Sequence, residues 1–156
     1  MKVLIVYDSV SPSKVTATVA ENIGAVLKEK GFQVDSVFVP NADKSVVKNY
    51  DCLLVGGPTM RFSVTPEIKH FLDSLSSTES SGKLAAAFDT QIKGRFSASA
   101  AKGIEGKLKG LGFKLVTAPL VAYVEGKLSQ NTWHLKEGEL EKAKKWAEEV
   151  AKALSK

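Results

Sequence analysis

Val3-Leu4-Ile5-Val6-Tyr7, running into Asp8-Ser9-Val10-Ser11-Pro12-Ser13-Lys14-Val15-Thr16, is the stretch on which the fold turns. The apolar run does not alternate, so it reads as a strand covered on both faces. The hydroxyl-rich, proline-containing segment that follows reads as a loop. Apolar residues then return at helical spacing, with Val19, Ile23, Val26 and Leu27, and Gly31 ends that helix. Buried strand, polar loop and amphipathic helix together make the opening of a parallel βαβ unit.

The same grammar continues along the chain. Phe32 to Val39 alternates as a second strand, and Cys52-Leu53-Leu54-Val55 is a third buried strand stopped by Gly56-Gly57-Pro58. Thr65-Pro66-Glu67 opens a helix, with Thr65 as N-cap, Pro66 at the first helical position, and Ile68, Phe71, Leu72 and Leu75 on one face. Ser76 to Gly82 reads as a loop, and Lys83 to Phe88 as a fourth strand. Ala100, Ile104, Leu108 and Leu111 mark a helix closed at Gly112. Phe113 to Val124 carries a fifth strand with a break at Pro119, and Leu140, Ala143, Ala147, Val150 and Leu154 form a final amphipathic helix. The order β-α-β-(short α)-β-α-β-α-β-α predicts a three-layer, doubly wound α/β sandwich. Its sheet is expected to have five parallel strands in the order 2-1-3-4-5, in one domain spanning 1–156. A ligand of such a sheet sits at the carboxyl ends of strands 1 and 3, where the strand order reverses.

Composition narrows the function classes. The chain has 156 residues, 44% hydrophobic and 25% charged, the balance of a soluble globular protein. A chain of this size buries about 70% of its extended surface without help from disulfides or metals. Cys52 stands alone, which excludes an internal disulfide and a Cys-only metal site, and His70 and His134 leave little for a histidine cluster. No apolar run approaches the roughly 18 residues of a membrane span, and the opening run is too short for a signal peptide. The expected compartment is a reducing cytoplasm, and the expected state a monomer. Net charge is +5, from 22 Lys plus Arg against 17 Asp plus Glu. The lysines alternate with acids over residues 139–152, and the stretch holding Lys102, Lys107, Lys109 and Lys114 has no interleaved aromatics. Nucleic acid is therefore not the expected partner.

Three loops at the strand ends carry chemistry-bearing residues. In the first, the hydroxyls of Ser9, Ser11, Ser13 and Thr16, the Lys14 ammonium and the N–H groups of a helix N-terminus converge. They suit a phosphate; alternatively Ser13 or Thr16 only caps the helix and Pro12 shapes the turn. The second is Gly56-Gly57-Pro58-Thr59-Met60-Arg61-Phe62-Ser63. Its glycines admit a flat ligand, Met60 and Phe62 offer apolar contact, and Arg61 a cation; the alternative is an ordinary βα turn. The third, Asp89-Thr90-Gln91-Ile92-Lys93-Gly94-Arg95-Phe96-Ser97, is long for a βα loop. Phe96 is a second wall for a planar ligand, or tucks into the core while Ser97 or Ser99 caps the next helix.

On these loops, with Gly56-Gly57-Pro58-Thr59 followed by Thr65-Pro66-Glu67-Ile68 and Phe71-Leu72, the whole chain resembles the flavodoxin family. The resemblance implies an FMN-binding electron carrier that works with redox partner proteins. The family's phosphate pattern, Ser/Thr-x-Thr-Gly-x-Thr, is met at its hydroxyl positions by Ser11, Ser13 and Thr16, with Lys14 where the pattern has glycine. The resemblance carries Ser11, Ser13 and Thr16 to the phosphate and Thr59, Met60, Arg61, Phe62, Asp89 and Phe96 to the ring; the loops themselves add Ser9, Lys14 and Val15 to the first group and Pro58 and Thr90 to the second as candidate cofactor contacts. It implies no metal and no catalytic residue. The net charge of +5 departs from the acidic character of the family, and a cation at Arg61 favours the reduced, anionic ring. A binding or scaffolding module without flavin, and a small FMN-dependent reductase, are the alternatives.

Other chemistries lack their residues. A phosphoacceptor receiver domain needs an Asp at the end of strand 3, where Val55-Gly56 stands. Neither Gly-x-Gly-x-x-Gly nor a Walker sequence follows strand 1, and no Gly-x-Ser-x-Gly elbow is present. Cys52 begins a buried strand and reads as core, His70 as a surface residue and Trp146 as packing. Trp133-His134 falls in the connection before the last helix.

Overall fold

The structure, a computed structural model, describes residues 1–10, 12–59, 64–92, 99–130 and 132–156. β1 (Lys2–Tyr7) leads into α1 (Val15–Glu29) and β2 (Gln33–Phe38). Two 3₁₀ turns, Val39–Asn41 and Lys44–Asn49, stand where a short α-helix was expected, and lead to β3 (Cys52–Pro58). α2 (Pro66–Asp73) is followed by α3 (Ser77–Ser80), a single turn within the Ser-rich segment read as a loop. The Ser76 hydroxyl starts that turn by accepting from the Thr78 N–H at 3.2 Å. β4 (Leu84–Ile92) and α4 (Ala100–Gly110) come next, then β5 (Lys114–Leu115), β6 (Leu120–Lys127), β7 (Thr132–Leu135) and α5 (Glu139–Leu154).

The strand order is β2-β1-β3-β4-β6-β7, with β5 also paired to β4. All pairs are parallel except β6 with β7. Two corrections to the five-stranded expectation follow. The fifth strand is divided: β5 and β6 both pair with β4, and Pro119, which has no N–H for a ladder, lies in the gap. Trp133-His134 is not a plain connection but part of β7, an antiparallel edge strand folded back on β6.

Neighbouring residues of each inner strand serve opposite layers. Val3, Ile5, Cys52, Leu54, Ala86 and Phe88 pack with α1 and α5, while Leu4, Val6, Leu53, Val55, Ala85 and Ala87 pack with α2 and α4. This is why the strands read as unbroken apolar runs. Phe88, wholly buried, fills the centre of one layer beside Trp146, with ring centroids 6.2 Å apart. It also dictates Gly56 on the adjacent strand, where a Cβ would lie 2.2 Å from the Phe88 ring. Cys52 is buried, and burial pushes its thiol up to about 12, so it is core and not a nucleophile. The Trp146 indole N–H donates to the Ala118 carbonyl at 2.8 Å. No helix among the described residues is long and apolar enough to cross a membrane.

Candidate functional site

β1 has β2 on one side and β3 on the other. The chain leaves β1 for β2, then returns past it to β3, so the connections diverge at the carboxyl ends of β1 and β3, the switch point at which doubly wound sheets hold their ligands. Two buried carboxylates fasten the described residues that flank these strand ends.

Asp8, just past β1, is the first. Its N–H donates to the Gly56 carbonyl at 3.0 Å, extending the β1–β3 ladder by one residue. Its Oδ1 accepts from the Ser9 N–H at 2.8 Å and its Oδ2 from the Thr65 hydroxyl at 2.5 Å. The Thr65 oxygen in turn accepts from the Ile68 N–H at 3.4 Å, capping α2 as its sequence requires. Asp8 thus ties the start of the first loop to the helix that ends the second. Sequence reasoning left Asp8 unassigned; the available signal was an acid directly abutting a buried strand.

Asp89, wholly buried at the far end of β4, is the second. Its Oδ2 accepts from the Ser99 hydroxyl at 2.5 Å, the Ala101 N–H at 3.0 Å and the Thr59 hydroxyl at 3.2 Å. Thr59 Oγ1 also accepts from the Ala100 N–H at 3.0 Å. The N-terminus of α4 is therefore capped by β3 and β4 together, and the Ser99 side chain makes no cap bond of its own. Burial raises the Asp89 carboxyl above its ordinary pKa, partly offset by those three hydrogen bonds and by Lys142. Its Oδ1 is buried with no hydrogen-bond partner among the described residues.

The phosphate-loop candidates divide. Thr16 is turned inward: its hydroxyl shares a 2.7 Å hydrogen bond with that of Thr90, and both side chains are buried. Val15 is also buried. Ser9 and Ser13 are half-buried and Lys14 is exposed. Ser13 Oγ accepts from the Trp133 N–H at 2.9 Å. Lys14 occupies the N-cap position of α1 at φ 51° and ψ 42°, the only positive φ outside glycine among the described residues. The position where the family pattern has glycine thus has a glycine-like backbone. Its side chain makes no cap bond, and nothing among the described residues accepts from the N–H groups of Val15, Thr16 or Ala17. α1 thus has open donors and the positive end of its dipole at the switch point.

Of the ring-side candidates, Pro58 ends β3 and Thr59 follows it, with the Thr59 N–H donating to the Thr90 carbonyl at 2.8 Å. Asp89 and Thr90 are buried on the adjacent β4, opposite Gly57 and Pro58. Ser11, Met60, Arg61, Phe62 and Phe96 lie outside the described residues. A separate groove of about 770 Å³ lies between the 3₁₀ turns and α2, lined by Val39, Pro40, Asp43, His70, Phe71 and Ser74 among others. It contains none of the residues read from the sequence as cofactor contacts.

Sheet order and loops define a class: a doubly wound α/β domain with an open helix N-terminus at its switch point. The flavodoxin family model matches residues 5–146, and the chain belongs to the flavodoxin family. Among curated proteins none matches it. Among solved structures, a flavodoxin from the domain Archaea superposes with a TM-score of 0.78 at 21% identity, covering 100% of both chains. Flavodoxin 1 from Bacillus cereus gives 0.78 at 19% identity, over 97% of this chain and 98% of that one. Rubredoxin oxygen:oxidoreductase from Desulfovibrio gigas gives 0.79 at 21% identity, over 99% of this chain and 36% of that one. Likeness at these identities establishes the fold.

Proposed function

We propose that this protein binds FMN and carries electrons between redox enzymes of the cytoplasm. The observation that supports this most is Lys14, held left-handed at the head of an α1 with open N–H donors, in the loop where the family holds a phosphate. The residues present fit the group. The N–H groups of Val15 to Ala17 and the hydroxyls of Ser9, Ser11 and Ser13 are donors, and the Lys14 ammonium supplies countercharge. The Thr16 hydroxyl acts differently: bonded to Thr90, it fixes the head of α1 against β4.

FMN, when bound, supplies reversible acceptance of electrons. The chain's part is to hold and shield it. We assign the ring to the ends of β3 and β4, with Pro58 and Thr59 beside it; Met60, Arg61, Phe62 and Phe96, which lie outside the described residues, are its further candidate contacts from the sequence. Asp89 ties Thr59, just past β3, to the head of α4, so these two edges of the site are fixed relative to each other. The net charge of +5 suits partners with acidic faces, and association steered this way weakens as salt rises.

The test is a titration of purified protein with FMN and with riboflavin, followed by absorbance and flavin fluorescence. FMN is expected to bind, and to bind tighter than riboflavin. Ser13→Ala is expected to reduce that preference by about tenfold, the loss of a hydrogen bond to a charged acceptor. A colourless protein indifferent to both flavins overturns the reading and leaves a scaffolding module.

A further inference from the structure

β7 is the last strand of the sheet, yet it reaches the first loop: the Trp133 N–H donates to Ser13 Oγ at 2.9 Å, across 120 residues of sequence. Trp133 stands opposite Gly126 in the β6–β7 hairpin. Gly126 is what allows this hairpin to close so tightly, since a Cβ there would lie 1.9 Å from the Thr132 carbonyl oxygen. The hairpin is held at its other end too, by the Lys136 N–H donating to the Tyr123 carbonyl at 3.0 Å.

A serine hydroxyl has one proton and two lone pairs. The Trp133 N–H uses one lone pair and thereby fixes where the oxygen sits. It takes no proton from the hydroxyl, so the O–H stays available to donate. We propose that the β6–β7 hairpin is a positioning element of the phosphate site: the Trp133 main-chain N–H orients the Ser13 hydroxyl as a donor to a phosphomonoester. This rests on the FMN reading above and adds to it a specificity role for an edge strand remote in sequence. A donor pre-set in this way loses less entropy on binding than a freely rotating hydroxyl, and hydrogen bonds in series strengthen one another.

Trp133→Pro removes the N–H, Trp133→Ala keeps it while removing the indole, and Gly126→Ala displaces the hairpin without touching the loop. Each is titrated with FMN and with riboflavin. Trp133→Pro and Gly126→Ala are expected to lower the FMN preference by about five- to tenfold, the range of one oriented hydrogen bond. Trp133→Ala is expected to keep it, and Trp133→Pro to add nothing in a Ser13→Ala background. Equal losses for both flavins, or an undiminished effect in that background, overturn the proposal. Should Trp133→Pro not fold, the wild-type protein decides. Its Trp133 amide resonance in a ¹⁵N-labelled sample is expected to move and exchange more slowly with FMN but not with riboflavin; identical responses overturn the proposal. A wild type that binds no FMN removes the functional reading and this one with it. A wild type that binds FMN beside a Trp133→Pro variant of unchanged preference removes this one alone.

Discussion

Replacing Lys14 by glycine separates two effects that the native residue combines. At φ 51° and ψ 42° the Lys14 Cβ is crowded against its own backbone; a side chain in the left-handed region costs about 1–2 kcal/mol. Glycine removes that cost but gives the unfolded chain about 0.5–1 kcal/mol of extra entropy to lose. The net expectation is a gain of up to about 1 kcal/mol, which is at most about 2–4 °C in melting temperature for a chain of this size. The same change deletes an exposed ammonium. At contact distance in water that charge is worth about 1 kcal/mol to a phosphate, so FMN is expected to bind about fivefold more weakly and riboflavin unchanged. Lys14→Ala is the control: it keeps the Cβ and loses the charge. Urea denaturation of the three flavin-free proteins, with flavin titrations alongside, gives the comparison. Lys14→Gly is expected to be the most stable and Lys14→Ala no more stable than the wild type. A glycine variant no more stable than the alanine variant would refute the strain argument, and FMN affinity identical in all three would refute the charge argument.

Gly56→Ala is expected to destabilise by about 1–3 kcal/mol, because its new methyl group would overlap the Phe88 ring; a double-mutant cycle with Phe88→Leu should recover part of the loss in the urea midpoint. Thr65→Ala removes the cap of α2 and leaves Asp8 Oδ2 without its donor, for about 2–3 kcal/mol, whereas Thr65→Ser is expected to be near neutral. Asp89 retains its proton to higher pH when folded than when unfolded, so lowering the pH through that range stabilises the wild type relative to Asp89→Asn, and raising it removes the advantage. Melting curves of both proteins from about pH 4 to about pH 7 check this; a difference constant with pH would place the Asp89 carboxyl at its ordinary value.

How much of this was legible beforehand follows from range. Strands buried on both faces must be apolar at every position, so Val3 to Tyr7 and Cys52 to Val55 declared themselves, and with the intervening helical periods they fixed a doubly wound sheet. The N-cap at Thr65 was legible because its acceptor, the Ile68 N–H, is three residues away. α4 shows the opposite case: a local serine seemed the natural cap, but Asp89 and Thr59 take that place, and no pattern within one segment encodes a bond between three. The antiparallel β7 escaped for a related reason. Its four residues are too few to show a period, and the strand exists because Gly126 admits it against β6. The Ser9 to Thr16 loop announced a phosphate-binding composition, yet composition could not say that Thr16 faces Thr90, that Ser13 is bonded to Trp133, or that Lys14 adopts the glycine conformation. The sequence alone determined which segments are strands and helices and which loops meet at the strand ends, because burial imposes its period residue by residue. Only the tertiary structure decided which hydroxyl in that loop is free to donate and which is held inside, because that depends on partners 74 and 120 residues away.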